Sequence, residues 1–325
     1  MKRLASLLLI LALTLSAFSV LADTSAPSCA IVVAGTLGDR SFYDSANAGL
    51  ELLKKELNLD GKVIECGEDG SKFESSLIAA AETSDVVIAV GWQFYDALQT
   101  VAPGFEDKRF IFIDNDIRDI PNLMSILYAQ NEGSFLVGYI AGKMSKTGKI
   151  GVVGGQDGVV INDFIVGYEA GAKHANADIQ VIRKYTETFE NPSKGKEAAL
   201  ALYDEGCDIV FAVAGKTGEG VFEAAAERKC YAIGVDSDQK YINPDVILCS
   251  CIKEVGKSIY STVSSLEKNF KGSEAWLANT ASGYISVGYG DDTMPQQVSD
   301  ELKAEVEQLM ADIVNGNITV PTTLK

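Results

Sequence analysis

Short apolar runs alternate with helical patterns along most of this chain, and that alternation limits its fold more than any other feature. Runs of about four to eight apolar residues bounded by turn residues are typical of buried parallel strands. The predicted strands are residues 30–34, 62–66, 86–90, 109–113, 149–153, 179–184, 209–213, 232–235 and 246–250. Strands that alternate with helices of about 10–15 residues indicate parallel βαβ units. We therefore predict an α/β fold with two similar halves, each built on a doubly wound, mostly parallel sheet.

No Pro- or Gly-rich linker separates the two halves, so we expect the chain to cross between them more than once. Three extended segments suit such crossings: residues 125–130, 248–252 and 284–287. They would form a hinge with a cleft between two lobes. The predicted N-terminal lobe comprises residues 23–127 plus 253–283, and the predicted C-terminal lobe comprises residues 128–252 plus 284–325.

The first 22 residues have the pattern of a secretory signal peptide. Lys2 and Arg3 precede an apolar stretch over residues 4–21, and Ala22 precedes a polar segment. An uncleaved membrane anchor is the competing interpretation, but this exit favours cleavage after Ala22. A lipoprotein would need a cysteine directly after a Leu-small-small triplet, and the residues before Cys29 match that poorly. We expect an exported protein of the periplasm or another extracytoplasmic space, without a lipid anchor.

The charge and the histidine content exclude several classes of protein. The formal net charge is -17, and removal of Lys2 and Arg3 with the signal peptide takes it to -19. An acidic surface repels phosphate, so nucleic acid is not an expected partner. The single histidine, His174, and the lack of a Cys-x-x-Cys pair argue against a metal site. Neither a dinucleotide fingerprint nor a nucleophile motif appears, so we expect no cofactor.

An exported chain with an even number of cysteines favours disulfides. The six cysteines are Cys29, Cys66, Cys207, Cys230, Cys249 and Cys251. Cys29 and Cys66 flank two strands that should be neighbours, and Cys207 and Cys230 each open a strand of the second half. We therefore predict the pairs 29–66 and 207–230. Cys249 and Cys251 lie on one side of a strand and could bridge each other only with strain.

Two polar residues follow neighbouring apolar runs late in the chain. Asp236 ends the run 231–235, and Lys253 follows the run 246–250. In open α/β sheets, ligands bind outside the carboxyl ends of the strands. An acid and an amine at that place could hold vicinal hydroxyls, as on a sugar ring. The alternative is a solvated loop aspartate and a surface lysine.

Several segments, in order along the mature chain, resemble the basic membrane protein family. This family comprises purine nucleoside receptor-type substrate-binding proteins of ABC transporters. The segments that carry the resemblance are residues 38–42 (Gly-Asp-Arg-Ser-Phe), 133–139, 151–155, 164–172, 214–222 and 234–239. The resemblance implies a two-lobed periplasmic-binding-protein type I fold that closes on a nucleoside and delivers it to ABC transporter permease subunits. We expect the protein to act as a monomer.

The resemblance also implies roles for five residues. Phe42 and Phe189 would stack on the two faces of a base, one from each lobe. Base–aromatic stacking is worth about 1–3 kcal/mol per base. Gly215, Asp236 and Lys253 would contact a ribose. Alternatively, Phe42 could lie in the hydrophobic core, and Phe189 could fill a gap within its own loop.

Four further residues stand near predicted strand ends. Asp39 is suited either to cap a helix or to accept a hydrogen bond from a base. Trp92 could pack against the base or cover the hinge. Asp114 and Asn115 could read base edges, since amides both donate and accept. Helix capping would explain Asp114 or Asn115 equally well.

Three classes of function compete: a solute receptor, an exported nucleoside-processing enzyme, and a regulator on the same fold. An enzyme needs a positioned acid, base or metal, and no motif of that kind appears. A regulator would carry a DNA-binding segment where this chain has a signal peptide. The sequence favours the receptor, which would close about its hinge on the ligand. A purine nucleoside is the favoured ligand, and a ribose-like sugar without a base is the alternative.

Overall fold

A computed structural model describes residues 27–324 of the chain, and the predicted signal peptide lies outside this range. The described residues form two six-stranded sheets with helices packed against them. The predicted α/β class with two mostly parallel sheets is confirmed. Within residues 27–324, no helix has both the length and the apolar composition that a membrane crossing requires.

The first sheet and its helices form what we call the N-lobe. Its strands are β1 (Cys29–Val33), β2 (Gly61–Glu65), β3 (Val86–Val90), β4 (Arg109–Ile113), β5 (Leu123–Tyr128) and β11 (Ala275–Ala278). Its helices are α1 (Phe42–Leu57), α2 (Phe73–Thr83), α3 (Tyr95–Val101), α8 (Val255–Val263) and α9 (Leu266–Asn269). The strand order is β11-β5-β4-β3-β1-β2, and all neighbours are parallel. Because helices cover such a sheet, β1 and β3 are apolar and buried at every residue.

The second sheet and its helices form the C-lobe. Its strands are β6 (Lys149–Gly154), β7 (Gln180–Tyr185), β8 (Ile209–Val213), β9 (Tyr231–Asp236), β10 (Ile247–Lys253) and β12 (Ile285–Gly288). Its helices are α4 (Gln130–Met144), α5 (Val159–Ala175), α6 (Pro192–Asp204), α7 (Glu219–Arg228) and α10 (Asp300–Val314). The strand order is β12-β10-β9-β8-β6-β7, in which the edge strand β12 is antiparallel to β10. Both sheets direct the carboxyl ends of their central strands toward a cleft between the lobes.

The predicted crossing segments are more regular than we expected. Residues 248–252 lie within β10, and residues 284–287 overlap β12. These two strands pair with each other, with Lys253 opposite Ile285. The chain passes between the sheets directly after β5, directly after β10, and between β11 and β12. Strand β10 therefore delivers Lys253 from the C-lobe to the boundary between the lobes.

The predicted disulfides are wrong, since all six cysteines, which lie within residues 27–324, are free thiols. Cys29 pairs with Gly61 at the start of β2, whereas Cys66 follows the far end of that strand. The parallel register thus separates Cys29 from Cys66 by about 16 Å along the strands, far beyond the reach of a disulfide. In the other pair, Ile209 lies opposite Tyr231. Cys207 and Cys230 precede these two strands and are one residue out of step in this register.

Candidate functional site

Four strand ends meet at the cleft, and each carries a residue with left-handed backbone conformation. Gly91 follows β3 with φ of 124°, and Gly215 lies after β8 with φ of 53°. Asp114 and Asp236, at the ends of β4 and β9, have φ of 74° and 63°. This conformation costs a non-glycine residue of order 1–3 kcal/mol and is concentrated at functional sites. At Asp114 and Asp236 it turns a carboxylate into the cleft.

The cleft, counted with the part that is open to solvent, contains about 550 Å³ of atom-free space. Eight of the predicted site residues line it: Asp39, Phe42, Trp92, Asp114, Phe189, Gly215, Asp236 and Lys253. The ninth, Asn115, lies beside this lining, and its side-chain oxygen accepts from the N–H of Asp116 at 2.8 Å. The structure therefore brings the predicted residues together, apart from Asn115.

The two predicted stacking rings reach the cleft from opposite lobes. Phe42 opens α1 of the N-lobe, and Phe189 lies in the loop between β7 and α6 of the C-lobe. The Phe189 ring lies directly on Gly155, where a β-carbon would stand 2.2 Å from Cε1. Gly155 therefore provides the space that this ring occupies. Phe42 and Phe189 thus line one cavity from the two lobes.

Lys253 and Asp114 form a buried ion pair between the lobes. The ammonium nitrogen lies 2.6 and 2.7 Å from the two carboxylate oxygens. Both side chains are buried, at 1% and 6% exposure. Burial raises the pKa of Asp114, and the ammonium of Lys253 opposes this shift. The ammonium also lies 5.0 Å from the ring centre of Phe42, which adds a cation–π contact.

Asp236 holds a second polar contact between the lobes. The hydroxyl of Ser41 in the N-lobe donates a 2.5 Å hydrogen bond to Oδ2 of Asp236. Burial raises the pKa of Asp236 to about 6, while Lys253 and Ser41 oppose the shift. No hydrogen bond within the described residues involves Oδ1 of Asp236, so this oxygen can accept from a ligand hydroxyl.

Asp39 caps the first turn of α1. Its carboxylate accepts from the N–H groups of Ser41, Tyr43 and Asp44 at 2.9–3.0 Å. Burial raises its pKa to about 7, against the effect of these three donors. Of the two predicted roles, the structure shows the cap. The same contacts fix the position of the Phe42 backbone.

The sequence did not single out several residues that line the cleft. They include the aromatic rings of Tyr43 and Phe164, the polar side chains of Gln93 and Lys216, and the aliphatic residues Val160, Ile161 and Val235. The Gln93 side-chain oxygen is buried and has no hydrogen-bond partner among residues 27–324. In the sequence, the signal that could have identified Gln93 was its position after the end of β3, beside Trp92. An unpartnered amide at a cleft can form a hydrogen bond with a ligand.

Two α/β lobes with a cavity at their strand ends are typical of two-lobed solute receptors and of regulators built on the same fold. A model of the family described as ABC transporter substrate-binding protein PnrA-like matches residues 26–323. The chain is 34% identical over 304 residues to basic membrane protein A of Borreliella burgdorferi, covering 91% of this chain and 88% of that protein. It is 32% identical over 321 residues to the ABC transporter nucleoside-binding protein BmpA of Lactococcus lactis, covering 92% and 90%.

A solved structure shows the same architecture. The solute-binding protein of an ABC transporter system from Aeropyrum pernix K1 superposes with a TM-score of 0.80 at 26% identity, covering 91% of this chain and 94% of that one. The predicted periplasmic-binding-protein fold is thereby confirmed. The chain belongs to the family of PnrA-like ABC transporter substrate-binding proteins, as the motif resemblance predicted. Substrate-binding proteins of ABC importers work outside the cytoplasm, in agreement with the expected location.

Proposed function

We propose that this substrate-binding protein captures a purine nucleoside in the cleft and delivers it to ABC permease subunits. The observation that carries the proposal is the pair of rings, Phe42 and Phe189, that line one cavity from opposite lobes. The cavity surface is mostly apolar around these rings, which suits a base. A relative is named as a nucleoside-binding protein, which supports the same class of ligand.

The polar groups beside the rings suit a ribose. Asp236 accepts from Ser41 through one carboxylate oxygen, and Lys253 is fixed by Asp114. Gly215 has no side chain, so a ligand can approach its backbone closely. We assign the base to the space between the rings, and the ribose to Asp236, Lys253 and Gly215. Gln93, Trp92 and Asp114 stand where they can contact the base.

The remaining parts of the proposal concern the whole chain. We propose that the signal peptide is cleaved after Ala22, that residues 23–325 act as a monomer, and that residues 23–127 plus 253–283 move against residues 128–252 plus 284–325. Closure would follow from tighter ligand binding to the closed state. The match to a family of substrate-binding proteins favours this receptor over the exported enzyme.

A thermal-shift screen of residues 23–325 tests the ligand class. The panel contains purine and pyrimidine nucleosides, free bases and ribose, because a ligand that binds the folded state raises apparent stability by RT ln(1 + [L]/Kd). We expect the largest shift with purine nucleosides. Phe189→Ala should weaken binding about 5- to 150-fold, the effect of one lost stacking contact. Tyr241→Ala, at an aromatic residue that is 54% exposed, is the control. A shift with ribose alone would contradict the assignment of the rings to a base.

A further inference from the structure

Two glutamates form reciprocal hydrogen bonds across the cleft beside Phe189. The carboxylate of Glu68, in the N-lobe, accepts from the Thr188 hydroxyl at 2.7 Å and from the Phe189 N–H at 2.8 Å. The carboxylate of Glu190, in the C-lobe, accepts from the Thr36 N–H at 2.8 Å and from its hydroxyl at 2.7 Å. Each lobe thus contributes one carboxylate that binds two donors of the other. We call this set of five residues the glutamate latch.

The backbone around Glu68 is held in a defined and costly conformation. Glu68 has φ of 59°, in the left-handed region, directly after Gly67 with φ of 66°. The N–H groups of Gly67 and Glu68 donate to the carbonyls of Gly35 and Ala34 at 3.0 and 2.9 Å. These bonds fasten the turn to the end of β1. The position of the Glu68 backbone is therefore fixed by the end of β1.

The latch supplies one of the two backbone bonds of the stacking residue Phe189. Its carbonyl accepts from the N–H of Thr217 in its own lobe at 3.0 Å. Its N–H donates to Glu68 in the other lobe. When the lobes separate, the carbonyl bond can persist, but the N–H loses its protein acceptor. Glu68 is therefore placed to fix Phe189 in the closed cleft and to leave it freer in an open one.

We infer that Glu68 and Glu190 are positioning residues that hold the cleft closed over the ligand and so set how long it stays bound. The identity of the ligand in this inference rests on the proposed function. Carboxylate acceptors form the stronger class of hydrogen bond, although the position of these bonds at the rim lets water compete for them. The contact between Ser41 and Asp236 lies deeper in the cleft, where both side chains are buried.

Stopped-flow measurement of nucleoside release tests the latch. Glu68→Gln and Glu190→Gln keep the size of each side chain but replace one acceptor oxygen by a donor nitrogen. We expect each variant to release bound inosine or guanosine about tenfold faster than the wild type, with the association rate nearly unchanged. Glu106→Gln, at an exposed glutamate of the N-lobe, is the matched control and should release at the wild-type rate. Release from both latch variants within twofold of the wild type would overturn the inference.

A second measurement separates the latch from the proposed ligand. If the wild type binds no purine nucleoside, the proposed function fails, but small-angle scattering with whichever free base or sugar of the thermal-shift panel does bind still tests the latch. The double variant Glu68→Gln and Glu190→Gln should then have a larger radius of gyration than the wild type and the Glu106→Gln control. Superimposable scattering curves in that case would overturn the latch.

Discussion

At the residue scale, the cleft contains more buried carboxyl groups than buried cations to balance them. Asp39, Asp114 and Asp236 are all buried, and burial raises the pKa of each. Lys253 pairs with Asp114 at 2.6 Å, and Asp236 has a hydroxyl as its nearest partner. Ionised groups kept in such places lower the stability of the fold and are typical of binding sites. We attribute this cost to the recognition of ligand hydroxyl groups.

Replacement of Asp236 by asparagine should therefore stabilise the protein and impair binding. The folded protein holds the Asp236 proton with a pKa of about 6, against an ordinary value of 3.8. The raised pKa means that the Asp236 carboxyl group stabilises the fold fully below about pH 4, where it is protonated. This stabilisation is lost as the pH rises through about 6. At pH 7.5 we expect Asp236→Asn to raise the free energy of unfolding by about 1–3 kcal/mol, as urea unfolding would measure.

The same variant should show a weaker dependence of stability on pH between about pH 4 and pH 7. Asp292→Asn, at an exposed aspartate, serves as the control and should follow the wild-type profile. A destabilised Asp236→Asn protein at pH 7.5, with the pH profile of the wild type, would show that the carboxylate is well compensated in the fold.

The local sequence was sufficient to predict some residues of the site but not others. Asp114, Asp236 and Lys253 could be predicted because they follow apolar strands, and strand ends meet at one edge of a sheet. Gln93 was missed because its importance lies in a buried oxygen without a partner, which depends on the surrounding packing. The latch was missed because Glu68 and Phe189 are 121 residues apart in the chain.

At the element scale, two C-lobe helices approach more closely than side chains normally allow. A β-carbon on Gly171 of α5 would lie 1.8 Å from the carbonyl oxygen of Phe135 in α4. A β-carbon on Gly138 of α4 would lie 2.2 Å from the carbonyl oxygen of Tyr168 in α5. Glycines on both helices thus permit backbone contact between α4 and α5, and the cleft residue Phe164 of α5 packs on Phe211 of β8.

Gly171→Ala should consequently be far more damaging than an ordinary glycine substitution. The added methyl group meets backbone, which cannot rotate away, so the helices must separate. We expect a loss of about 3 kcal/mol or more in the free energy of unfolding, at the upper end of overpacking effects. Gly104→Ala is the matched control, because a β-carbon there meets no atom within 4 Å. Equal stability of the two variants would contradict the close packing of α4 and α5.

Eight of the nine predicted strands agree with the structure to within one residue at each end, because buried parallel strands are continuous apolar runs. The ninth, residues 246–250, continues to Lys253. The edge strand β11 was missed, since it has only four residues, of which Ala278 alone is buried, and they form no longer apolar run. The disulfides were mispredicted for a related reason. An even number of cysteines indicates a tendency to pair. The strand register that keeps Cys29 and Cys66 apart depends on the three-dimensional fold and cannot be read from the cysteine count.

At the scale of the whole molecule, the structure describes a closed receptor. The lobes are joined across the cleft by the pair Lys253–Asp114, the bond from Ser41 to Asp236 and the glutamate latch. The chain also connects them where β5, β10 and β11 end. Under the proposed function, the closed state holds the ligand best because both lobes contribute contacts to one cavity, and this difference in affinity would drive closure.

The central claim is that one cleft binds a base and a ribose at the same time. Isothermal titration calorimetry of residues 23–325 with guanosine, inosine and adenosine, and with guanine, hypoxanthine, adenine and ribose, tests it most directly. We expect at least one nucleoside to bind more than tenfold tighter than its free base and than ribose, because it engages the rings and the polar groups together. Affinity for a free base or for ribose that equals or exceeds that of every nucleoside would contradict the account.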